Sequence, residues 1–347
     1  MPQALARQAL LRLATTHQLD GVRERLLPMA DTLAADLMAL EVGLGSVVEA
    51  DGDLASQAAA HLLAAGGKRV RPVLCLLVAK AFPPGEPPPS VTLLAQTAEL
   101  VHNATLLHDD VIDLGDVRRD RPTSRAIYGN AASVLGGDLL LVQALGLIEA
   151  AGVPQLLPSM LDVLRRMIGA ESLQLENRGR TNLTEEDYFA VSEGKTASLF
   201  EWAVEAGARC VGAEEKDVQT LRRFGREVGV AFQLLDDLMD LRRAPDAIGK
   251  NVLQDVQGGT VTYPIILALQ ERPELAERLA AAAGGVEDAE LAAAIIEAVN
   301  DTGALDDCRR LIAQRTARAL SALAPLPPSS ARDALAAVAT ALAERAR

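Results

Sequence analysis

Three aspartates interrupt an apolar stretch at residues 106–114, which reads Leu-Leu-His-Asp-Asp-Val-Ile-Asp-Leu. On a helix, Asp109 and Asp113 lie one turn, about 5.4 Å, apart on one face, whereas Asp110 lies about 100° around the axis. Two ionised carboxylates stacked beside leucines repel each other and are costly to desolvate. A divalent cation that takes oxygen ligands from both side chains relieves both costs. The stretch therefore predicts a helix with a metal-binding face.

The same pattern recurs 127 residues further on, at residues 234–241. A single pair of acidic residues four apart is common on solvated helix faces, so one copy alone would be weak evidence. Two copies, each enclosed by leucines, favour a shared function. We expect the two helices to face one cleft, where several cations and a bridging anion would balance up to six carboxylates. The aspartates of the second copy are Asp236, Asp237 and Asp240.

Composition favours an all-α fold. The 347-residue chain is 49% apolar and only 3% aromatic, and alanine and leucine dominate it, which predicts helices rather than strands. Breaks between helices are expected at Pro28, at residues 51–53, at Pro273 and at residues 325–328. Residues 244–260 form a predicted loop that is long enough to cover an active site. We expect one domain over residues 1–347.

The charge balance restricts the classes of partner. A net charge of −13 lacks the basic footprint of a nucleic-acid-binding protein, so we expect no nucleic acid partner. The three cysteines lack metal-ligand spacing, which fits a reduced, cytoplasmic protein. The most apolar segment, residues 134–148, is short and interrupted by Asp138, so we expect no transmembrane helix.

Two clusters of cations could bind a phosphate-bearing ligand. Residues 66–72 read Gly-Gly-Lys-Arg-Val-Arg-Pro, and glycines let backbone N–H groups approach an anion. Residues 115–123 carry three arginines, whose guanidinium groups hold phosphate oxygens bidentately. His102 lies two turns before Asp109 on the same predicted helix face, which favours contact with the ligand.

A third candidate group lies further along the chain. Gly194 interrupts a helical pattern just ahead of Lys195 and Thr196, and the predicted bend aims a cation inward. Gln233 shares a helix face with Asp236 and Asp240.

Together these residues resemble the trans-isoprenyl diphosphate synthases, the polyprenyl synthetase family, over essentially the whole chain. Residues 66–72 resemble the family's GGKRxRP element, and the two aspartate stretches resemble its two aspartate-rich motifs in the same order. Residues 195–196, 232–233 and 249–250 resemble its KT, FQ and GK elements. The resemblance implies an isoprenoid synthase-type helical bundle around a central cavity, forming a homodimer. It also implies condensation of isopentenyl diphosphate with an allylic diphosphate.

The resemblance implies roles for individual residues as well. Isopentenyl diphosphate would be held by Lys68, Arg71, His102 and Arg119. The allylic diphosphate would be held by Arg118, Lys195, Thr196, Gln233 and Lys250. A cluster of about three Mg²⁺ ions would be bound by Asp109, Asp113, Asp236 and Asp240. The catalytic residues would be Asp109, Asp110, Asp113, Lys195, Asp236 and Asp237.

Product length depends on the residues beneath the first motif, because the growing prenyl tail must run away from the metals. The fifth and fourth residues before Asp109 are Ala104 and Thr105, both small. Synthases that stop at short products resemble this chain but have aromatic residues there. One helical turn of about 5.4 Å is close to one extended isoprene unit, so we expect a product of about 30 carbons or more.

Three residues depart from the family pattern. Asp120 and Leu253 replace glycines, and Thr260 replaces a lysine that contacts the allylic diphosphate. Two other functions are compatible with parts of the sequence. A non-catalytic subunit of a heteromeric synthase would tend to lose an aspartate motif. A class I terpene cyclase would carry one DDxxD motif and would need neither Lys68 nor Arg71.

Overall fold

The computed structural model describes residues 20–49, 51–82, 86–119, 121–241, 261–282 and 289–346. This part of the chain is almost entirely helical, which confirms the all-α prediction. Within it, the only strands form a short antiparallel hairpin that pairs Val117 with Pro122 and Arg118 with Arg121. The first elements are α1 (Asp20–Ser46), α2 (Leu54–Ala64), α3 (Val70–Lys80), α4 (Ser90–Ile112), β1 (Val117–Arg118), β2 (Arg121–Pro122), α5 (Ser124–Tyr128) and α6 (Asn130–Ala151). Next come α7 (Leu156–Glu176), α8 (Glu185–Ser192), a π-helical segment (Glu193–Ala197), α9 (Ser198–Cys210) and α10 (Glu215–Asp240). The last elements are α11 (Tyr263–Glu271), α12 (Glu274–Ala282), α13 (Ala289–Asp301), α14 (Ala304–Leu323) and α15 (Ser330–Ala346).

Local sequence explains where several helices begin. Asp53 caps α2, since its side chain accepts a hydrogen bond from the Ser56 backbone N–H at 2.9 Å. Thr184 and Asp187 form a complete capping box at the start of α8. The predicted breaks at residues 51–53, Pro273 and residues 325–328 are confirmed.

The break predicted at Pro28 is wrong, because α1 continues through this residue from Asp20 to Ser46. Proline removes one backbone donor from a helix, and a helix of 27 residues retains its other hydrogen bonds. The cover loop predicted at residues 244–260 lies outside the described residues.

The chain divides into two compact units. Unit 1 comprises Met1–Leu161, Trp202–Arg222 and Pro325–Val338. Within it, α4 makes its most extensive contacts with α6 and packs also on α3. Unit 2 comprises Asp162–Glu201, Arg223–Ala324 and Ala339–Arg347. The expectation of a single domain stays a prediction.

One helix of the described residues, α6, is long and apolar enough to cross a membrane. Its 22 residues contain an 18-residue window of mean hydropathy 1.8, of which 39% is buried. One such helix is weak evidence for a span, since the core helix of a globular protein meets the same criteria. Here Leu140, Ala144 and Ile148 form a buried inner face, and α4 is the main neighbour of α6.

Candidate active site

The first aspartate motif lies at the carboxyl end of α4. Asp109 is partly buried, and Asp113 is exposed and caps the helix, donating its backbone N–H to the Asp109 carbonyl at 2.8 Å. The carboxyl end of a helix carries partial negative charge, which disfavours further anions there. Two carboxylates at this position therefore require cations nearby, as the sequence predicts.

The middle aspartate, Asp110, is directed into unit 1. It is buried and accepts a hydrogen bond from Arg118 Nε at 2.8 Å. Burial raises the pKa of Asp110 and outweighs the opposing attraction of Arg118. The geometry thus gives Asp110 the task of orienting an arginine, and it differs in this respect from Asp109 and Asp113.

The arginine segment predicted as a loop is a hairpin fixed at its base. Thr123 donates its hydroxyl to the Gly115 carbonyl at 2.7 Å, and Arg125 pairs with Asp116 at 2.8 Å. His61 Nε2 lies 2.8 Å from the Pro122 carbonyl, which can only accept a hydrogen bond, so this ring nitrogen is the donor. These bonds limit the freedom of the segment that carries Arg118 and Arg119.

The Gly-Gly turn precedes α3, which begins at Val70. Gly66 has φ 73°, a left-handed conformation that glycine adopts without steric cost. Lys68 is partly buried, and Arg71 is buried at the start of α3. The chain therefore turns sharply between α2 and α3 and brings two predicted diphosphate-binding cations to one end of α3.

His102 is partly buried on α4 and lies in the field of several arginines. Burial lowers its pKa well below the usual value, and the charges of Arg71, Arg119, Arg118 and Arg69 lower it further. The imidazole is therefore neutral, and it can donate one hydrogen bond while adding no repulsion among the cations.

The residues predicted to set product length lie on the same helix. Ala104 is completely buried. Thr105 is partly buried and donates its hydroxyl to the His102 carbonyl at 2.9 Å. Both side chains are small, as the sequence requires, and Ala104 contributes to the packed interior of unit 1.

The second aspartate motif lies at the end of α10 in unit 2. Asp236 and Asp240 are partly buried. Asp237 is buried and accepts hydrogen bonds from the Tyr188 hydroxyl at 2.7 Å and Gln233 Nε2 at 3.0 Å. Burial raises the pKa of Asp237 to about 6, against the lowering effect of these hydrogen bonds. The middle aspartate is again the one that is turned into its own unit.

The π-helical segment replaces the bend predicted at Gly194. One-turn π segments inside α-helices occur frequently at functional sites. Lys195 Nζ lies 2.5 Å from Glu171 Oε2 and 3.3 Å from Gln174 Oε1. Thr196 donates its hydroxyl to Gln233 Oε1 at 2.7 Å, which links the segment to α10. A cavity of about 200 Å³ is lined by Gln174, Tyr188, Lys195, Thr196, Gln233 and Asp237, among others.

The predicted residues thus divide into two groups, one in each unit. The unit 1 group consists of Lys68, Arg71, His102, Ala104, Thr105, Asp109, Asp110, Asp113, Arg118 and Arg119. The unit 2 group consists of Lys195, Thr196, Gln233, Asp236, Asp237 and Asp240. Lys250, Asp120, Leu253 and Thr260 lie outside the described residues.

Sequence reasoning missed several residues that contact these groups. Glu171 and Gln174 are three residues apart on α7 and flank Lys195, and this i,i+3 spacing was the available signal. Tyr188 contacts Asp237, and no local pattern marks it.

The aspartates of the first motif are suited to bind Mg²⁺ together with a phosphate-bearing ligand. In the described ranges, no three His, Cys, Asp or Glu side chains are grouped closely enough to hold a metal ion by themselves. Mg²⁺ usually keeps several waters and is bound by one or two carboxylates together with substrate phosphates. Asp109 and Asp113, oxygen donors one helical turn apart, match this requirement.

Comparison with known proteins identifies the family. The family model described as "Polyprenyl synthetase" matches residues 53–301. The chain belongs to the polyprenyl synthetase family, whose members are prenyltransferases.

Relatives of known sequence or structure are similar over most of their length. "Octaprenyl diphosphate synthase" of Escherichia coli (strain K12) is 34% identical over 87% of this chain and 93% of its own. "All-trans-nonaprenyl-diphosphate synthase (geranyl-diphosphate specific)" of Rhodobacter capsulatus is 37% identical over 91% of this chain and 96% of its own. A crystal structure of "polyprenyl synthase from Caulobacter crescentus CB15 complexed with calcium and isoprenyl diphosphate" matches with a TM-score of 0.83. That protein is 33% identical, and the match covers 92% of this chain and 97% of the solved chain.

Proposed function

We propose that this protein is a trans-polyprenyl diphosphate synthase that condenses isopentenyl diphosphate with an allylic diphosphate and releases a long-chain product. One observation carries the proposal. In each aspartate motif the middle carboxylate is buried and bonded within its own unit, whereas the outer carboxylates are more accessible. The four outer aspartates, which are the more accessible ones, would bind the metal ions that hold the diphosphate.

Mg²⁺, when bound by Asp109, Asp113, Asp236 and Asp240, would neutralise the charge that develops on the departing diphosphate. The chain's own cations act in the same direction. Asp110 accepts a hydrogen bond from Arg118 Nε, and the terminal nitrogens of this guanidinium group can donate hydrogen bonds to phosphate oxygens. Glu171 and Gln174 hold Lys195 in place at the π segment.

The second substrate needs a site without carboxylate ligands. Lys68, Arg71 and Arg119 supply positive charge, and neutral His102 supplies a directional donor. In the reaction the allylic C–O bond breaks, the isopentenyl double bond attacks the allylic carbon, and a proton leaves to the released diphosphate. Apolar walls must exclude water, since water would capture the allylic cation.

The product is proposed to be long because small residues lie beneath the first motif. Ala104 and Thr105 offer no aromatic barrier to a growing tail. The names of the relatives support this length, since they describe octaprenyl and nonaprenyl products.

We further propose that two copies of the chain associate through α6 in the cytoplasm. The outer face of this helix exposes Leu135 and Val142 by 56% and 66%, and a second copy would cover them. The three cysteines of the chain are free thiols, which supports the proposed cytoplasmic location because that compartment keeps thiols reduced.

A direct assay tests the proposal. Purified protein is incubated with Mg²⁺, isopentenyl diphosphate and either geranyl or farnesyl diphosphate, and the dephosphorylated products are sized. We expect long-chain polyprenols, and we expect Asp109→Asn and Asp236→Asn each to lower turnover by roughly 100-fold or more. Asp162→Asn is the matched control, since Asp162 is an exposed acid paired with Arg165.

Two outcomes would contradict the proposal. Cyclised hydrocarbons would indicate a class I terpene cyclase. Condensation that occurs only after addition of a second protein would indicate a non-catalytic subunit.

A further inference from the structure

A buried carboxylate lies beneath the cationic turn of unit 1. Glu99 stands on α4 three residues before His102, and only 2% of it is exposed. Glutamate is almost never buried to this extent unless it is paired. Its Oε1 accepts a hydrogen bond from Arg69 Nη1 at 2.6 Å and a weaker one from Asn103 Nδ2 at 3.4 Å. Glu99 therefore anchors Arg69 in the interior.

Arg69 has a second acidic partner on the solvent side. Its Nε and Nη2 donate to Glu41 Oε1 and Oε2 at 2.8 and 3.2 Å. The Glu41 side chain is 48% exposed, and a cavity of about 410 Å³ borders this pair. Burial lowers the pKa of Arg69, but the hydrogen bonds and charges of the two glutamates raise it more, so the net shift is upward. We call Glu41, Arg69 and Glu99 the glutamate clamp.

The clamp fixes the backbone of the turn that carries Lys68 and Arg71. Arg69 adopts φ 52°, a left-handed conformation that costs energy for a residue other than glycine and must be held by its surroundings. A Cβ added to Gly67 would lie 2.9 Å from Glu99 Oε1 and 3.0 Å from Arg69 Nη1. The turn thus packs directly on the clamp, and loosening the clamp would displace both flanking cations.

Arg119 lies in the same electrostatic neighbourhood. Its Nη2 is 3.6 Å from the position of a Cβ on Gly67. Burial lowers the pKa of Arg119, Glu99 raises it, and Arg118 and Arg69 lower it again. Glu99 therefore offsets the mutual repulsion of the cations that surround it.

We propose that Glu99 is a positioning residue for isopentenyl diphosphate. Its carboxylate holds Arg69, and through Arg69 the turn that presents Lys68 and Arg71, and it keeps Arg119 beside them. This role rests on the proposed function, because it assigns these cations to the isopentenyl diphosphate site.

The test is binding of isopentenyl diphosphate alone, with no allylic substrate and therefore no turnover, measured by calorimetry on the full chain. Glu99→Gln should raise the Kd about tenfold or more, since it keeps the shape but removes the charge that orients Arg69. Glu41→Gln should raise it less, because Glu41 is half exposed. Arg69→Lys should give a Kd between those of the wild type and Glu99→Gln, since lysine keeps the positive charge but lacks the planar guanidinium group.

Steady-state kinetics separate positioning from folding. For Glu99→Gln we expect the KM for isopentenyl diphosphate to rise about tenfold, while the KM for the allylic diphosphate stays unchanged. Glu205→Gln is the matched control, because Glu205 is also 2% exposed and contacts Arg209 Nε at 2.6 Å in the same unit. It should lower stability comparably and leave both KM values unchanged.

The outcomes distinguish this inference from the proposed function. A wild-type protein that binds no isopentenyl diphosphate would overturn both. A wild-type protein that binds it, with an unchanged Kd in Glu99→Gln, would overturn the positioning role alone. Equal effects of Glu99→Gln and Glu205→Gln on this Kd would also overturn it, because a purely structural effect would then suffice.

Discussion

Removal of one hydroxyl group tests the buried network behind the second aspartate motif. Tyr188→Phe deletes the donor that lies 2.7 Å from Asp237 Oδ2. The aromatic ring would remain packed, with Phe189 and Tyr263 ring centroids at 5.3 and 5.2 Å. The substitution therefore isolates a single hydrogen bond to a buried carboxylate.

The magnitude follows from burial and charge. A hydrogen bond to a charged group contributes about 1.5 to 3 kcal/mol, so we expect Tyr188→Phe to lower the free energy of unfolding by about 2 kcal/mol. Tyr263→Phe is the matched control, since it deletes a hydroxyl that lies 2.9 Å from Glu185 Oε2. Glu185 is exposed, so water can replace the deleted hydroxyl as its partner, and we expect a loss of only about 0.5 kcal/mol, the low end for a hydrogen bond.

Urea denaturation followed by circular dichroism measures both variants at one pH. We also expect Tyr188→Phe to raise the KM for the allylic diphosphate, because Gln233 and Thr196 belong to the same network as Asp237. Equal destabilisation by the two variants, or none by Tyr188→Phe, would refute the idea that Asp237 is ionised and held by Tyr188.

Three other substitutions test other parts of the unit 1 group. Asp110→Asn should raise the KM for the allylic diphosphate about tenfold, because Arg118 loses its charged partner, and should change the KM for isopentenyl diphosphate little. Steady-state kinetics with each substrate varied in turn measure both values, and equal changes in the two KM values would contradict the prediction. His102→Gln should reduce the loss of stability between pH 7.5 and 5.5, measured by urea unfolding at both pH values. Because the pKa of His102 is lowered in the folded protein, the unfolded chain binds the proton more tightly, and wild-type stability falls as the pH drops below the unfolded pKa of about 6.5. An identical dependence of stability on pH in the two proteins would contradict this prediction. Ala104→Phe should shorten the product seen by mass spectrometry in correctly folded protein, and an unchanged product length would count against a tail that passes Ala104.

Much of the fold and part of the candidate site could be predicted from local patterns. The spacing of Asp109 and Asp113 depends only on helical periodicity, and α4 bears out the helix. The capping box at Thr184 likewise involves two residues three apart, Thr184 and Asp187, so it depends on local sequence alone. Such features are encoded within a few neighbouring residues.

Other features depend on contacts between distant segments. Arg69 forms hydrogen bonds with Glu41 and Glu99, which are 28 and 30 residues away in sequence, and no local spacing predicts these pairs. The hairpin that carries Arg118 consists of two-residue strands, too short for any alternating pattern. Proline at position 28 was overestimated as a helix breaker, because its local cost can be outweighed by the rest of a long helix.

The π turn at Glu193–Ala197 has a consequence for insertions and deletions. Residues 185–210 are continuously helical, and one π turn accommodates an extra residue, so the segments before and after it are offset by about 100°. Upstream, Tyr188 reaches Asp237; downstream, the Phe200 ring lies 5.3 Å from that of Phe232. If the same number of residues formed a regular α-helix, one of these two side chains would turn away from its partner on α10. Deleting one residue within the π turn would restore a regular α-helix and leave both contacts in place, whereas a deletion elsewhere between Tyr188 and Phe200 would not remove the offset. Related sequences should therefore lose a residue in this helix only within Glu193–Ala197.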